Sequence, residues 1–469
     1  MDKDAIIEKL IEENNLLRER IKLLEEKILM LERENYILKE KIAQLEKNSS
    51  NSSKPPSSDI VKPRKIPHRF GRKRIIGGQP GHTKFSRQPF EPDEVDEVIE
   101  YELKDKDAVG LKALDEWFII QQIVLPQKLY RVIEHRARKY LNPVTGKIII
   151  APIPEKIRKG GLLGADITAA IALMKGSCHM SYSTIKQFFS EIFQLNIARS
   201  LFCKAAKKVS QSLQPAYEQL VERLPDEIQI GIDETGHHDE GKLHWAWCFN
   251  TPQYSLFKID KSRGSQVLER MLGRDFAGII CADYWGAYRK YARLFDVRVQ
   301  YCMAHLIRDI RFLAEHSIKR LSHWGCCLLE WLKKLFKTLH CRSRYTPKGF
   351  AEATERIKEE FLRRVRRPPE LMLAKKLARR FRGKAAEDYF RFLNETKLEP
   401  TNNSTERQIR PVVIDRRITQ GTRGDTGMRW CERIWTILST CKKQNRNVFK
   451  FIHRTLLAHW TNTCYPELL

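Results

Sequence analysis

The first 47 residues carry apolar side chains in a seven-residue pattern. Leucine recurs at every seventh position from Leu10 to Leu45, and isoleucine or asparagine stands three positions before each leucine, from Ile7 to Ile42. Leucine at d with isoleucine at a predicts a parallel two-stranded coiled coil. Each g residue also faces an opposite charge at the partner's e position, in the pairs Glu13–Arg18, Arg20–Glu25, Lys27–Glu32, Glu34–Lys39 and Lys41–Glu46. The alternative is one amphipathic helix packed on its own domain.

In the second half of the chain, short apolar runs alternate with helical patterns. Five strands are predicted, at residues 228–232, 243–250, 254–259, 279–282 and 297–301. Three strands in succession followed by alternating helices and strands predict an α/β core of ribonuclease-H-like type over residues 225–445, with a helical insertion at about 316–395. Asp233 follows the first strand and Asp283 the fourth, so parallel pairing would bring both carboxylates to one edge of the sheet.

The segments around this core have other patterns. Residues 48–90 read as a Pro/Ser-rich linker and a basic arm, and residues 91–158 as a small mixed domain with a hairpin at 139–152. Residues 159–224 predict a mostly helical domain. Its segments 181–189 and 198–209 are compatible with a helix-turn-helix, although plain helical packing fits them as well. Residues 446–469 predict a C-terminal helix.

The charge of the chain indicates its partner. The net charge is +27 at a sequence pI of about 9.6, which favours a polyanion, and nucleic acid rather than a membrane surface. The arm supplies six candidate phosphate contacts: Arg64, Lys65, Arg69, Arg72, Lys73 and Arg74. The alternative is that the arm is a solvated basic loop. No apolar run is long enough to cross a membrane. We therefore expect a cytoplasmic, nucleoid-associated protein.

Three carboxylates carry the candidate chemistry. Asp233 and Asp283 end predicted strands, and Glu406 stands in the first turn of a predicted helix. Three carboxylates at one point can hold two divalent ions, the usual means of cutting and joining phosphodiesters. Arg407 and Arg410 flank Glu406 and suit DNA phosphates. The alternative for Glu406 is a capping box with Asn403, three residues earlier.

A second small cluster is given a supporting role. Cys302 and His305 form a C-x-x-H pair, which is too few ligands for a structural zinc site. Asn402 and Asn403, just before Glu406, are assigned the same supporting role.

Several of these segments together resemble the insertion-sequence-66 family of bacterial transposases. They are residues 52–59, the Gly-Gly-Gln-Pro-Gly-His run at 77–82, Asp233-Glu234-Thr235, Cys302-x-x-His305, and residues 401–411. The resemblance implies a DDE transposase with Asp233, Asp283 and Glu406 as the triad, and two Mg²⁺ or Mn²⁺ ions. Many members carry a cysteine-rich zinc domain after the Gly-Gln-Pro-Gly-His segment. This chain has no cysteine before Cys178, so we expect no zinc.

The resemblance also implies partners: DNA as element ends and target, a second copy through the coiled coil, and accessory element-encoded proteins as an open requirement. Two other functions stay open. One is a catalytically inactive dimeric DNA-binding protein derived from a transposase. The other is a ribonuclease-H-like host nuclease, which needs the triad but neither the coiled coil nor the basic insertion.

Overall fold

The computed structural model describes residues 3–45, 88–104, 111, 114–115, 117–395 and 397–469. The linker and nearly all of the basic arm, including its six candidate DNA contacts, lie outside the described residues. Residues Lys3–Leu45 form one long helix, α1. Its heptad leucines and isoleucines are between 53% and 84% exposed, so the single chain leaves this apolar row uncovered.

The segment before the helices contains the expected hairpin. Strands β1 (Lys139–Leu141) and β2 (Ile148–Ile150) pair in antiparallel fashion. The Asn142 side-chain oxygen accepts the N–H groups of Val144 and Thr145 and so holds the connecting turn. The apolar residues of β2 are exposed, and a separate domain at 91–158 stays a prediction.

Residues 155–223 are helical, as the sequence predicts. The helices are α2 (Glu155–Gly160), α3 (Ala165–Gly176), α4 (Tyr182–Glu191), α5 (Arg199–Ser212) and α6 (Gln214–Arg223). Ile171, Ile185, Phe189 and Phe202 form a small buried cluster among α3, α4 and α5. The helices α4 and α5 coincide with the candidate helix-turn-helix, whose role in DNA binding stays a prediction.

A five-stranded mixed sheet forms the centre of the second half. Its strands are β3 (Gln229–Asp239), β4 (Lys242–Asn250), β5 (Ser255–Asp260), β6 (Ile279–Ala282) and β7 (Arg298–Tyr301). Their order is β5-β4-β3-β6-β7. Strands β3, β6 and β7 are parallel, whereas β4 is antiparallel to both of its neighbours.

Helices α7 and α8 connect strands of the sheet, and α9 follows the last strand. They are α7 (Ser265–Leu272), α8 (Gly286–Phe295) and α9 (Met303–Ala314). The insertion contains α10 (Lys319–His340), α11 (Pro347–Val365), α12 (Met372–Ala378) and α13 (Ala385–Phe390). The chain ends with α14 (Asn403–Thr419), α15 (Asp425–Lys443) and α16 (Val448–Thr461). The five-stranded sheet, α15 and α16 all contribute side chains to one hydrophobic core.

Strand β3 is longer than the sequence predicts, and Asp233 does not end it. The apolar run stops at Ile232, but pairing with β4 continues to Asp239, where Glu240 and Gly241 make the turn with positive φ. Pairing with β6 covers only the first three residues and ends at Gly231. Asp233 therefore lies just beyond the end of the parallel pairing, with one side of β3 open to another element.

Helix α15 covers the edge strand β5. Glu432, Thr436 and Thr440, spaced four residues apart on one helix face, accept backbone N–H groups of Ile259, Phe257 and Ser255 at 2.7, 3.0 and 3.4 Å. Side-chain oxygens thus occupy the donors that another strand would use. The sheet cannot extend at this edge.

Candidate active site

Helix α14 fills the open side of β3. The Asn402 side chain donates to the carbonyl of Ile232 at 2.8 Å, and its oxygen accepts from the Thr405 hydroxyl at 2.6 Å. The approach requires glycine at 231, because a Cβ there would lie 2.1 Å from the Thr405 hydroxyl oxygen. The start of α14 is therefore held against the strand that carries Asp233.

Glu406 stands in the first turn of α14, one residue after Thr405. The capping box with Asn403 is not formed, because the N-cap residue is Asn402 and the Glu406 N–H bonds the Asn402 carbonyl at 3.1 Å. The predicted alternative for Glu406 is therefore wrong. Its carboxylate is available for another role.

Asp283 immediately follows β6 and ends the strand as predicted. Its Oδ1 accepts the N–H of Trp285 at 3.0 Å, which fixes the turn into α8. Burial and then the charge of Glu234 raise the pKa of Asp283 to about 6, against the opposing effects of the Trp285 N–H and Arg263. Most Asp283 side chains are therefore ionised at neutral pH.

Asp233 is half-buried and lies near three other carboxylates. Burial raises its pKa well above the ordinary value, and the negative charges of Glu234, Asp283 and Glu406 raise it further. The three predicted acids, on a strand, after a strand and in the first turn of a helix, thus lie near enough for the charges of Asp283 and Glu406 to act on Asp233. Such repulsion is what a bound cation would relieve.

Glu406 also offers an oxygen that could serve as a cation ligand. The Oε1 atom of Glu406 is buried and accepts no hydrogen bond from the residues that the structure describes. Arg308 lies at ion-pair distance, 3.5 Å, without hydrogen-bond geometry. His305 Nε2 is 3.8 Å from the same atom. An orphaned acceptor beside repelling carboxylates fits a hard divalent ion with oxygen ligands.

The C-x-x-H pair lies directly beside Glu406. Ligand atoms of Cys302, His305 and Glu406 all lie within 4.8 Å of one another. Burial raises the pKa of Cys302, and burial lowers that of His305 to about 4, so both are neutral near pH 7. The Cys302 sulfur accepts the N–H of Asn402 at 3.2 Å. Because a Cys-His-Glu donor set also suits zinc, the expectation of no zinc stays a prediction.

The other predicted site residues are placed as follows. Arg407 and Arg410 are exposed on α14, beside Glu406. Asn402 is buried and anchors α14, whereas Asn403 is exposed and makes no side-chain hydrogen bond among the described residues. The two asparagines thus differ in placement, and the supporting role assigned to both stays a prediction.

Sequence reasoning missed the residues that hold Glu234. Its side chain is only 3% exposed, accepts from Arg263 Nε at 2.8 Å, and accepts from the Tyr288 hydroxyl. The interaction fixes the residue next to Asp233 and joins β3 to α8. The available indication was a second carboxylate directly after Asp233, which requires a partner when it is buried.

The helical insertion also contacts the site, and several of its arginines are already in ion pairs. Arg380 pairs with Asp309 at 2.6 Å and lies over the ring of Tyr284, the residue after Asp283. Arg363 and Arg364 both pair with Glu360. Fewer of these cations are free for DNA phosphates than the sequence count suggests.

Comparison with known proteins decides the family. Residues 160–430 of the 469 match the family model described as Transposase IS66 family. The chain belongs to the IS66 family of transposases. The matched region contains all three carboxylates, and the match confirms the resemblance seen in the motifs. Residues 4–88 match a second model, a family of unknown function (DUF6444).

One curated relative of this IS66-family chain is similar over most of its length. It is the "Uncharacterized protein y4qI" of Sinorhizobium fredii (strain NBRC 101917 / NGR234), 23% identical over 421 residues, which cover 82% of this chain and 76% of that protein. Among the described residues, no helix is both long and apolar enough to cross a membrane. Membership of a transposase family implies that the protein binds and processes DNA.

Proposed function

We propose that this IS66-family protein is a DDE transposase that nicks the ends of its element and joins the freed 3′ ends to target DNA. The observation that carries the proposal is the position of the three acids in the fold: Asp233 lies on β3, Asp283 follows the parallel neighbour β6, and the helix of Glu406 is bonded to β3 through Asn402. The sheet order, with a parallel half and an antiparallel half, supports a ribonuclease-H-like core.

The three carboxylates would hold two divalent ions, Mg²⁺ or Mn²⁺. The chemistry such ions supply is activation of water and then of the 3′-hydroxyl, together with stabilisation of the leaving oxygen. The protein's part is to keep the ligands in place: Gly231 and Asn402 hold α14 against β3, and the Trp285 N–H holds Asp283. Arg407 and Arg410, exposed on α14, would bind DNA phosphates close to the ions.

Dimerisation through α1 belongs to the same proposal. Tyr36, Glu40 and Ala43 turn toward the protein, and the Met372 N–H donates to the Tyr36 hydroxyl at 3.3 Å. These positions lie on the helix face opposite the leucine row. The contact of α1 with its own chain therefore leaves that row exposed, which supports a coiled coil with a second copy.

The test uses the purified full chain, Mg²⁺ and DNA carrying the sequences that flank the coding region. We expect end-specific nicks, and we expect Asp233→Ala, Asp283→Ala and Glu406→Ala each to abolish them. DNA binding should persist, because the basic surface is unchanged. Asp275→Ala, at an exposed aspartate, is the matched control and should cut normally.

Three outcomes would change the assignment. A Glu406 variant that cuts at the wild-type rate would remove Glu406 from the ligand set. A wild-type chain that binds the ends but never nicks them would favour the inactive DNA-binding alternative. Nicking without any preference for the element ends would favour a host nuclease.

A further inference from the structure

Trp285 lies two residues after Asp283 and is 42% exposed. Its backbone N–H donates to Asp283 Oδ1 at 3.0 Å, so its position is tied to that of the candidate metal ligand. It is also the N-cap residue of α8. A large aromatic side chain thus stands at the surface beside the acids that would receive the scissile phosphate.

The indole of Trp285 is held from one side. The Arg263 guanidinium lies 4.1 Å from the Trp285 ring centroid and 4.4 Å from that of Trp245, between the two rings. Arg263 is fixed in turn, because its Nε donates to Glu234 Oε1 at 2.8 Å and the Tyr288 hydroxyl donates to the same carboxylate. An indole has two faces, and Arg263 covers one of them. A base that stacks on Trp285 would therefore use the other face.

This arrangement differs from that of a tryptophan serving the core. Trp247, two residues along β4 from Trp245, is fully buried. Trp285 belongs to neither of the two buried clusters. Exposed aromatic surface is unfavourable in water, whereas a rigid aromatic face beside a nucleic-acid strand stacks on bases of any identity.

We propose that Trp285 stacks on an unpaired base of the DNA strand at the cleavage site. The ligand is a nucleobase released from its pair, because a base inside a duplex already stacks on both sides. The stack would hold the strand beside Asp283 and favour DNA that is frayed or distorted at the cut. This inference rests on the proposed function for the location of the DNA.

The experiment uses the full chain with Ca²⁺ and two duplexes that share one strand, which contains 2-aminopurine. One is a duplex with a single bulged 2-aminopurine, and the other pairs that 2-aminopurine with thymine. We expect the wild type to bind the bulged duplex more tightly and to quench its fluorescence. Trp285→Ala should lose about tenfold of that preference, about 1.4 kcal/mol, and the quenching. Trp285→Phe should keep most of the preference, since it retains an aromatic face.

Trp331→Ala is the matched control. Trp331 is half-buried on α10 and also lies against a guanidinium, that of Arg364 at 5.2 Å, but it is not part of the carboxylate site. It should bind both duplexes as the wild type does. Circular dichroism checks that each variant is folded.

The inference is overturned if the wild type shows no preference for the bulged duplex, or if Trp285→Ala keeps that preference. It is also overturned if Trp285→Ala weakens both duplexes equally, or alters self-association instead, as a protein-docking residue would. Glu406→Ala separates the two proposals. It should keep the quenching while losing cleavage, so a normal cutting rate there would count against the triad and not against the stack.

Discussion

The charge of Asp283 should destabilise the metal-free protein, and Asp283→Asn should reveal this. Burial and then Glu234 raise the pKa of Asp283 from 3.8 to about 6. Each unit is about 1.4 kcal/mol, so ionising this carboxylate in the folded state costs about 3 kcal/mol. Asparagine carries no charge and keeps an oxygen to accept the Trp285 N–H. The pKa of about 6 already includes the preference of the Trp285 N–H for the charged form, so the expected net gain is about 3 kcal/mol.

The gain should depend on pH in a defined direction. A raised carboxyl pKa means that the folded state holds its proton more tightly, so the wild type loses stability as pH rises from about 4 to about 6. Asp283→Asn removes this loss. The two proteins should therefore have similar stability near pH 4 and differ most above pH 6. Between those values the difference should grow steadily.

The assay is urea unfolding in EDTA at several pH values, followed by the same measurement with added Mg²⁺. Magnesium should stabilise the wild type at pH 8, because ligand binding to the folded state adds to its free energy of unfolding. It should have little effect on the variant. Asp275→Asn, at an exposed position, is the control and should follow the wild type throughout. A variant that is less stable than the wild type in EDTA at pH 8 would refute the reasoning.

Two further predictions concern the coiled coil and the basic arm. In an isolated 1–47 peptide, replacing Asn14 and Asn35 with isoleucine should raise thermal stability and loosen oligomer specificity, because a buried asparagine at an a position sets the register. Sedimentation of the unsubstituted peptide as a monomer at micromolar concentration would exclude the coiled coil. Neutralising the basic residues at 72–74 should flatten the salt dependence of DNA binding by up to about three units of log–log slope, for all sequences alike. An unchanged slope would show that the arm is a solvated linker.

Local sequence pattern predicted most of the elements. The strand at residues 279–282 was predicted with the observed ends, and β4 and β5 within one residue. These segments alternate or run apolar over their whole length, so their periodicity reports the element directly. Strand β3 was predicted too short because its second half is polar, and only its pairing with β4 keeps residues 233–239 extended.

The sequence by itself determined which residue types could form a site: two aspartates that each follow an apolar strand run, and a glutamate at a helix start. It determined a long helix with a continuous apolar row as well. Tertiary structure alone decided that α14 replaces β6 along the second half of β3, that Thr405 needs glycine at 231, and that Arg263 and Tyr288 hold Glu234. The physical reason is range. Periodicity and capping act within a few residues, whereas the contact between Ile232 and Asn402 joins positions 170 residues apart and depends on how the whole core packs.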